Sequence, residues 1–289
     1  MSRSTFSGFT IAHLGMNASQ MALQVTGQNI SNINTAGYTR QQVDLVSLNL
    51  NGSNAVATGP TSKIGYGVSV SNISQVRDPF LDVLYRNQIA KLGTSDAQQA
   101  VIDQLSDIFD ETDKDALGTA LTNLSSSLQK MSADASSDEY DSIIRSRFQV
   151  ILNFVHQKAD DLSTARENAI SSLETTDIPK LNNLLSDISE LNNSIWNSQV
   201  QGNPALELKD QRNSKLDELA SYLPISVTYK SVTVATDATY EYPVVKFEGS
   251  NGEVYNLTAG QHGENCASLE AEPQDDGKVK ILLPPATDY

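Results

Sequence analysis

The stretch Asn29-Ile30-Ser31-Asn32-Ile33-Asn34-Thr35-Ala36-Gly37-Tyr38-Thr39-Arg40 decides how the first part of this chain is read. Upstream of it, Ile11, Leu14, Ala18, Met21 and Val25 recur at spacings of three and four. That is the seam of a coiled-coil or bundle helix, running from near Phe6 to about Ile33. Asn side chains compete for backbone hydrogen bonds, and Asn and Gly both tolerate positive φ. The Asn run followed by Gly37 therefore predicts a helix end and a tight turn. Tyr38 has an apolar face and a hydroxyl, suited to anchoring the returning chain against the helix and bonding a freed carbonyl. No Asp, Glu, Lys or Arg lies between Arg3 and Arg40. A solvated helix carries charge on its outer face, so this one is expected to be covered by neighbours along much of its girth.

Working outward, Gln41 to Leu48 alternates as an extended strand, and Asn49 to Lys63 is a loop rich in Asn, Gly, Ser and Thr. Ile64 to Ile73 reads as a second short strand. Asp78 is placed as an N-cap with Pro79 at the first helical position. Gly65 and Gly67 precede a strand instead of following one, so they are not a nucleotide loop. From Phe80 to about Leu219 the pattern is mainly helical. A soft spot falls at Gly93-Thr94-Ser95, a break at Ser132 to Ser137, and Pro179 is expected to kink or restart a helix. Leu181, Leu184, Ile188, Leu191 and Ile195 step by three, four, three and four, a short heptad seam. Short breaks between long helices favour antiparallel neighbours.

Beyond Pro224 the texture changes to β-branched, turn-punctuated strands, with Gly249-Ser250-Asn251-Gly252 as a hairpin turn. The fold class read here is mainly α with a β-rich C-terminal part: an elongated helical bundle followed by an antiparallel β domain. Three units are expected. Residues 1–65 hold the N-terminal helix, the motif and the loop. Residues 66–223 form the bundle, and 224–289 the β-rich part.

The chain has 289 residues and a formal net charge of −15. With no basic patch to displace counterions, nucleic-acid binding is not expected. No run of about 20 apolar residues exists, so membrane insertion is not expected either. No cationic segment followed by an apolar core opens the chain, so no cleaved signal peptide is read. The search for catalysis is empty. His13, His156 and His262 are dispersed, with His13 read as a buried packing residue, and no nucleophile elbow or metal spacing occurs. Cys266 has no cationic neighbour to activate it. No catalytic, cofactor-binding or metal-ligating residue is assigned.

The motif at Asn29, Ile30, Asn32, Asn34, Thr35, Gly37, Tyr38 and Arg40 resembles the N-terminal signature of bacterial flagellar axial proteins, with Ala36 where many members have Pro. The order Gly65-x-Gly67-Val68, Arg77-Asp78-x-Phe80-Leu81 and Arg86 is similar to the same family. Asp210-Gln211-Arg212, followed by Glu218-Leu219 and the first strand, resembles a segment of hook-associated protein 1, the FlgK family, with Lys209 and Asn213 as departures. Within that resemblance these three residues lock the short helix onto the bundle. Arg212 makes either a forked bond to a carboxylate or a solvent-exposed i,i+4 pair. The resemblance implies a structural subunit that joins hook to filament and templates the filament. It implies partners in a ring of its own copies, the hook protein, the next junction protein and an export chaperone. It also implies type III export without a cleaved signal, to an extracellular place in the flagellum. Family members continue to a C-terminal helix that pairs with the first one. This chain is therefore expected to be a truncated form whose first helix lacks order on its own. Another axial protein, hook or rod, is the alternative, though those pass quickly into β domains whereas this chain stays helical from Phe80 to Leu219. An unrelated secreted coiled-coil binding module is the other.

Overall fold

The structure, a computed structural model, describes residues 6–48, 67–109, 111–133, 138–235, 238–249, 252–260, 263–274 and 278–283. The readings made for Asn49 to Lys63, for His262 and for the centre of the Gly249–Gly252 turn lie outside them. Helix α1 (Ser7–Ser31) leads to an antiparallel hairpin of β1 (Gln41–Ser47) and β2 (Val68–Gln75). Then come α2 (Pro79–Ile108), α3 (Glu111–Ala133), α4 (Asp138–Ser172), α5 (Ile178–Val200) and α6 (Leu206–Tyr222). Strands β3 (Ile225–Ala235), β4 (Ala238–Glu248) and β5 (Val254–Asn256) form one antiparallel sheet. Two small pairs follow, β6 (Thr258–Ala259) with β7 (Asn265–Cys266) and β8 (Glu270–Pro273) with β9 (Val279–Leu282). The chain is thus mainly helical with antiparallel strands towards its C-terminal end.

Local chemistry sets several boundaries. Asp78 caps α2, its Oδ1 accepting from the Phe80 N–H at 2.9 Å, and Pro79 fills a first-turn position that needs no N–H. Pro179 stands in the first turn of α5, where the α-helix starts again. A π-helical turn at Leu173–Asp177 carries α4 into α5, and Ile178 N–H bonds the Leu173 carbonyl, five residues back. Widening one turn relieves the clash between the proline ring and the carbonyl four residues earlier.

Gly93-Thr94-Ser95 is no break, since α2 runs through it. A Cβ on Gly93 would overlap the Ser221 carbonyl, so glycine lets α2 pass close against the end of α6. The apolar seam on α5 finds its partners elsewhere than in a long helical bundle. Leu181, Leu184, Leu185 and Ile188 pack with Leu216 and Leu219 of α6 and with Ile225, Val227, Val245, Leu257 and Leu269. That core crosses the boundary expected at 223/224, and the β1–β2 hairpin spans the one expected at 65/66. Leu185, Ile188, Leu216 and Leu219 are each 0 % exposed, and full burial of such a side chain contributes about 1.5–3 kcal/mol.

The far reach of α2, α3 and α4 differs. Leu124 and Ile144 are buried there, but Ile102, Leu105, Phe109, Leu121, Leu128, Phe148 and Val155 remain exposed. Helices lying side by side without a further layer cannot enclose their apolar stripes. The rich core therefore sits where α5 and α6 meet the sheet.

Helix α1 also departs from expectation. Its seam has a partner within the chain, the β1–β2 hairpin, with Ala18 and Val25 buried and Ile11 and Leu14 half-buried. The rest of its girth is open. His13 is exposed, bonded to Asn17 at 3.3 Å and stacked on Phe9, and is not a buried packing residue.

Replacing Gly93 with Ala should push α2 off α6 and destabilise the fold by about 1–3 kcal/mol, the usual cost of overpacking. Urea unfolding of G93A against the parent chain checks this; an unchanged midpoint would mean the helices part at no cost.

Candidate assembly site

The motif folds into a clamp. At the end of α1, the Asn32 N–H and Nδ2 both donate to the Gln28 carbonyl, at 3.1 and 3.0 Å. Thr35 N–H bonds the Asn32 carbonyl at 2.9 Å, and Thr35 Oγ1 donates to Asn32 Oδ1 at 3.2 Å. Together they close the helix and start the turn. Gly37 then takes φ +78°, a conformation that side chains rarely adopt. The reversal brings Tyr38 back against α1, where its hydroxyl donates to Asn29 Oδ1 at 3.0 Å. The expected backbone carbonyl partner is replaced by a side-chain amide.

Asn29 does more than end a helix. Its Oδ1 also accepts from the Gln41 N–H at 2.9 Å, and its Nδ2 donates to the Gln41 carbonyl at 2.9 Å. One carboxamide thus satisfies both backbone groups of the first residue of β1, as a neighbouring strand would. Gln41 is buried, so these groups have little access to water in exchange. Ile30, Asn34 and Arg40 are exposed and take no part in this clamp.

The clamp is tied to the rest of the molecule through Thr39. Its N–H donates to Asp210 Oδ2 at 3.0 Å, and its Oγ1 accepts from Arg77 Nη1 at 3.4 Å. Arg77 Nε is paired with Asp82 at 2.6 Å, so the motif, the start of α2 and α6 meet at one place. Gln75 adds a bond from Nε2 to the Leu206 carbonyl at 2.9 Å. Asp210 and Arg212 are buried on α6, whereas Gln211 is exposed.

Arg212 follows neither of the expected forms. It makes no fork to a carboxylate and does not face solvent. Nη1 donates to Asn192 Oδ1 at 3.0 Å and to the Glu241 carbonyl at 3.4 Å, and the guanidinium lies 5.8 Å from the Tyr229 ring centroid. Burial pushes its pKa down from the ordinary arginine value. Asn192, fully buried, was not singled out from sequence. It receives Arg212, donates to the Gly263 carbonyl at 2.8 Å, and its own carbonyl accepts from the Tyr240 hydroxyl at 3.1 Å. The hint was a polar residue directly after Leu191 in the α5 seam. Burial raises the Tyr240 hydroxyl to about 12, so it stays a donor. Arg86 Nε pairs with Asp217 at 2.7 Å, joining α2 to α6. Cys266 is pushed up by burial, consistent with an inert thiol. No group of three or more His, Cys, Asp or Glu able to hold a metal occurs among the described residues.

Asn29→Ala should leave the Gln41 N–H and carbonyl unpaired and cost about 1–3 kcal/mol. Amide exchange read at Gln41 should accelerate roughly tenfold or more, while the α5–α6 core keeps its protection. Unchanged exchange at Gln41 would mean that the carboxamide is not what holds β1 to α1.

The chain resembles known proteins along most of its length. The family described as flagellar hook-associated protein FlgK helical domain matches residues 102–282, and that of the flagella basal body rod protein matches 10–39. Flagellar hook-associated protein 1 of Bacillus subtilis is 29 % identical over 277 residues, covering 90 % of this chain and 54 % of that protein. Its namesake from Salmonella typhimurium is 27 % identical over 260 residues, 88 % of this chain and 43 % of that protein. The chain therefore spans about half the length of the curated relatives it matches. A solved structure of the flagellar hook junction protein FlgK from Burkholderia pseudomallei superposes with a TM-score of 0.53 at 19 % identity, over 71 % of this chain and 33 % of that one, a likeness of fold. The chain belongs to the flagellar hook-associated protein FlgK family.

Proposed function

We propose that this chain is the N-terminal part of a structural, non-catalytic subunit that joins the flagellar hook to its filament and templates filament assembly. Its partners in this reading are its own copies in a ring, the hook protein on one side and the next junction protein on the other. An export chaperone accompanies it before assembly, and export proceeds without a cleaved signal to the outer part of the flagellum.

One observation carries the reading. Phe9, Met16, Leu23 and Ile30 lie seven residues apart on α1 and are 73, 66, 73 and 67 % exposed. At 100° per residue they form one stripe, on the side away from Ala18 and Val25, which face the hairpin. A helix that is apolar on both sides and carries no charge is built to be covered on both. The hairpin covers one side, and neighbouring axial segments cover the other. The clamp at Asn29 and Tyr38 fixes which side that is.

Deletion of the gene should leave cells with hooks but no filaments, with flagellin lost to the medium. Normal swimming in that strain would overturn the reading. Leu23→Glu should leave the fold intact, because surface changes usually stay within about 0.5 kcal/mol. It should still abolish complementation in a motility assay, since the charge would be buried unpaired on assembly. A well-folded L23E protein that restores swimming would remove the stripe from the assembly interface.

A further inference from the structure

A recess of about 580 Å³ opens between β2, the turn that joins α5 to α6, and β4. Its walls are largely polar: Asn72, Ser74, Gln199 and Asn203 line it, with Lys209 and Glu241 as its charged residues. Lys209 is one of the departures from the segment that this helix resembles, so the cation in the recess is a feature of this chain.

Lys158, Lys180 and Lys215 each pair with a carboxylate. Lys209 does not. It is half-buried, yet its Nζ makes no hydrogen bond or ion pair among the described residues. Nor is that nitrogen sealed in: the enclosed side-chain atoms without a partner are Arg86 Nη2, Gln199 Oε1, Asp210 Oδ1 and Arg212 Nε. It stays within reach of a group entering the recess. Burial and then the Arg212 guanidinium hold the Lys209 amine below the ordinary lysine value, and Glu241 pulls the other way. Two cations thus meet one exposed carboxylate, in a chain whose acidic residues outnumber its basic ones by 35 to 20. An unpaired, half-desolvated charge costs stability, and a carboxylate from outside would relieve that cost.

We propose that this recess receives an acidic side chain from an adjoining copy of the chain, its carboxylate accepting from Lys209 Nζ. A single negative charge fits better than a dianion such as phosphate, which Glu241 would repel twice over and one ammonium would not balance. Copies that each carry a net charge of −15 repel one another, and a lysine held in a recess gives an approaching acid one place where it is attracted. That the carboxylate comes from a neighbouring copy rests on the assembly reading above; the recess's preference for a carboxylate does not.

The test uses the whole chain and follows the Lys209 side-chain and Gly202 amide signals by NMR. The probes are blocked glutamate (N-acetyl, C-amide), the neutral isostere blocked glutamine, and sodium phosphate, all at matched ionic strength. Blocked glutamate should give saturable shifts at both signals, with glutamine and phosphate giving none. Glu241→Gln is an exposed change that keeps the backbone carbonyl bonded to Arg212. It should tighten glutamate binding about two- to fivefold, the worth of one partly exposed repulsion. Lys209→Gln should abolish the response and leave the urea midpoint unchanged or higher, since it removes an unpaired, half-desolvated charge. No shift with glutamate, equal shifts with glutamine or phosphate, weaker binding in E241Q, or a lower midpoint in K209Q would each overturn the proposal. In assembled flagella, a carbodiimide should join Lys209 through an amide bond to a carboxylate of another copy; a link to Glu241 of the same copy alone would also overturn it. Saturable glutamate binding by a chain that is absent from flagella would keep the carboxylate site and sink the assembly reading instead.

Discussion

A single carboxamide sets the geometry of the N-terminal half. Asn29 bonds the N–H and the carbonyl of Gln41 and also receives the Tyr38 hydroxyl. Its three bonds fix where the chain returns after α1, and so fix the register at which β1 meets the helix. Because a helix presents a given side chain in only one direction, fixing the return also fixes which stripe of α1 the hairpin covers. Asp side chains could accept here but not donate to the Gln41 carbonyl, and Gln would add a methylene to a span that is already filled. The requirement is for a short side chain with both a donor and an acceptor.

How much of this was legible in the sequence follows the distance over which each feature is decided. Asp78 and Pro79, the turn at Gly37, the heptad steps from Leu181 to Ile195 and the alternation after Pro224 are local signals, and each element formed where they lie. The partners of those elements are not local. Arg212 meets Asn192, twenty positions earlier, and a carbonyl twenty-nine positions later, so no spacing rule could choose them. The α5 seam announced a partner but not that the partner would be α6 together with a sheet. Gly93 looked like a weak point because glycine lowers helix propensity; in three dimensions its missing Cβ is where Ser221 passes. In the motif, Gly37 and Tyr38 were legible as turn and anchor, whereas the double use of Asn29 depends on Gln41 arriving beside it.

Charge is divided in the same way as packing. The buried guanidiniums of Arg86 and Arg212 sit at the joints between α2, α6, α5 and β4, each held by a partner from another element. Removing either partner would leave a charge without water, so these joints resist sliding more than an apolar contact of equal area would. Asp210 links this rigid region to the motif through Thr39. The direction in which α1 projects is thereby referred to the best-packed part of the molecule.

This bears on why α1 is free of charge from Ser4 to Thr39. Charged residues along the open side would favour the isolated chain, but each would have to lose its water when that side is covered. Ser, Thr, Asn and Gln keep the helix hydrated at a smaller desolvation cost. The exposed Phe9, Met16, Leu23 and Ile30 hold in reserve about 1.5–3 kcal/mol each, released only on burial. Against this stands the loss of translational and rotational freedom on association, about 4–15 kcal/mol. A stripe of this size falls near the break-even point for one contact. It favours association only when more than one neighbouring surface covers the helix.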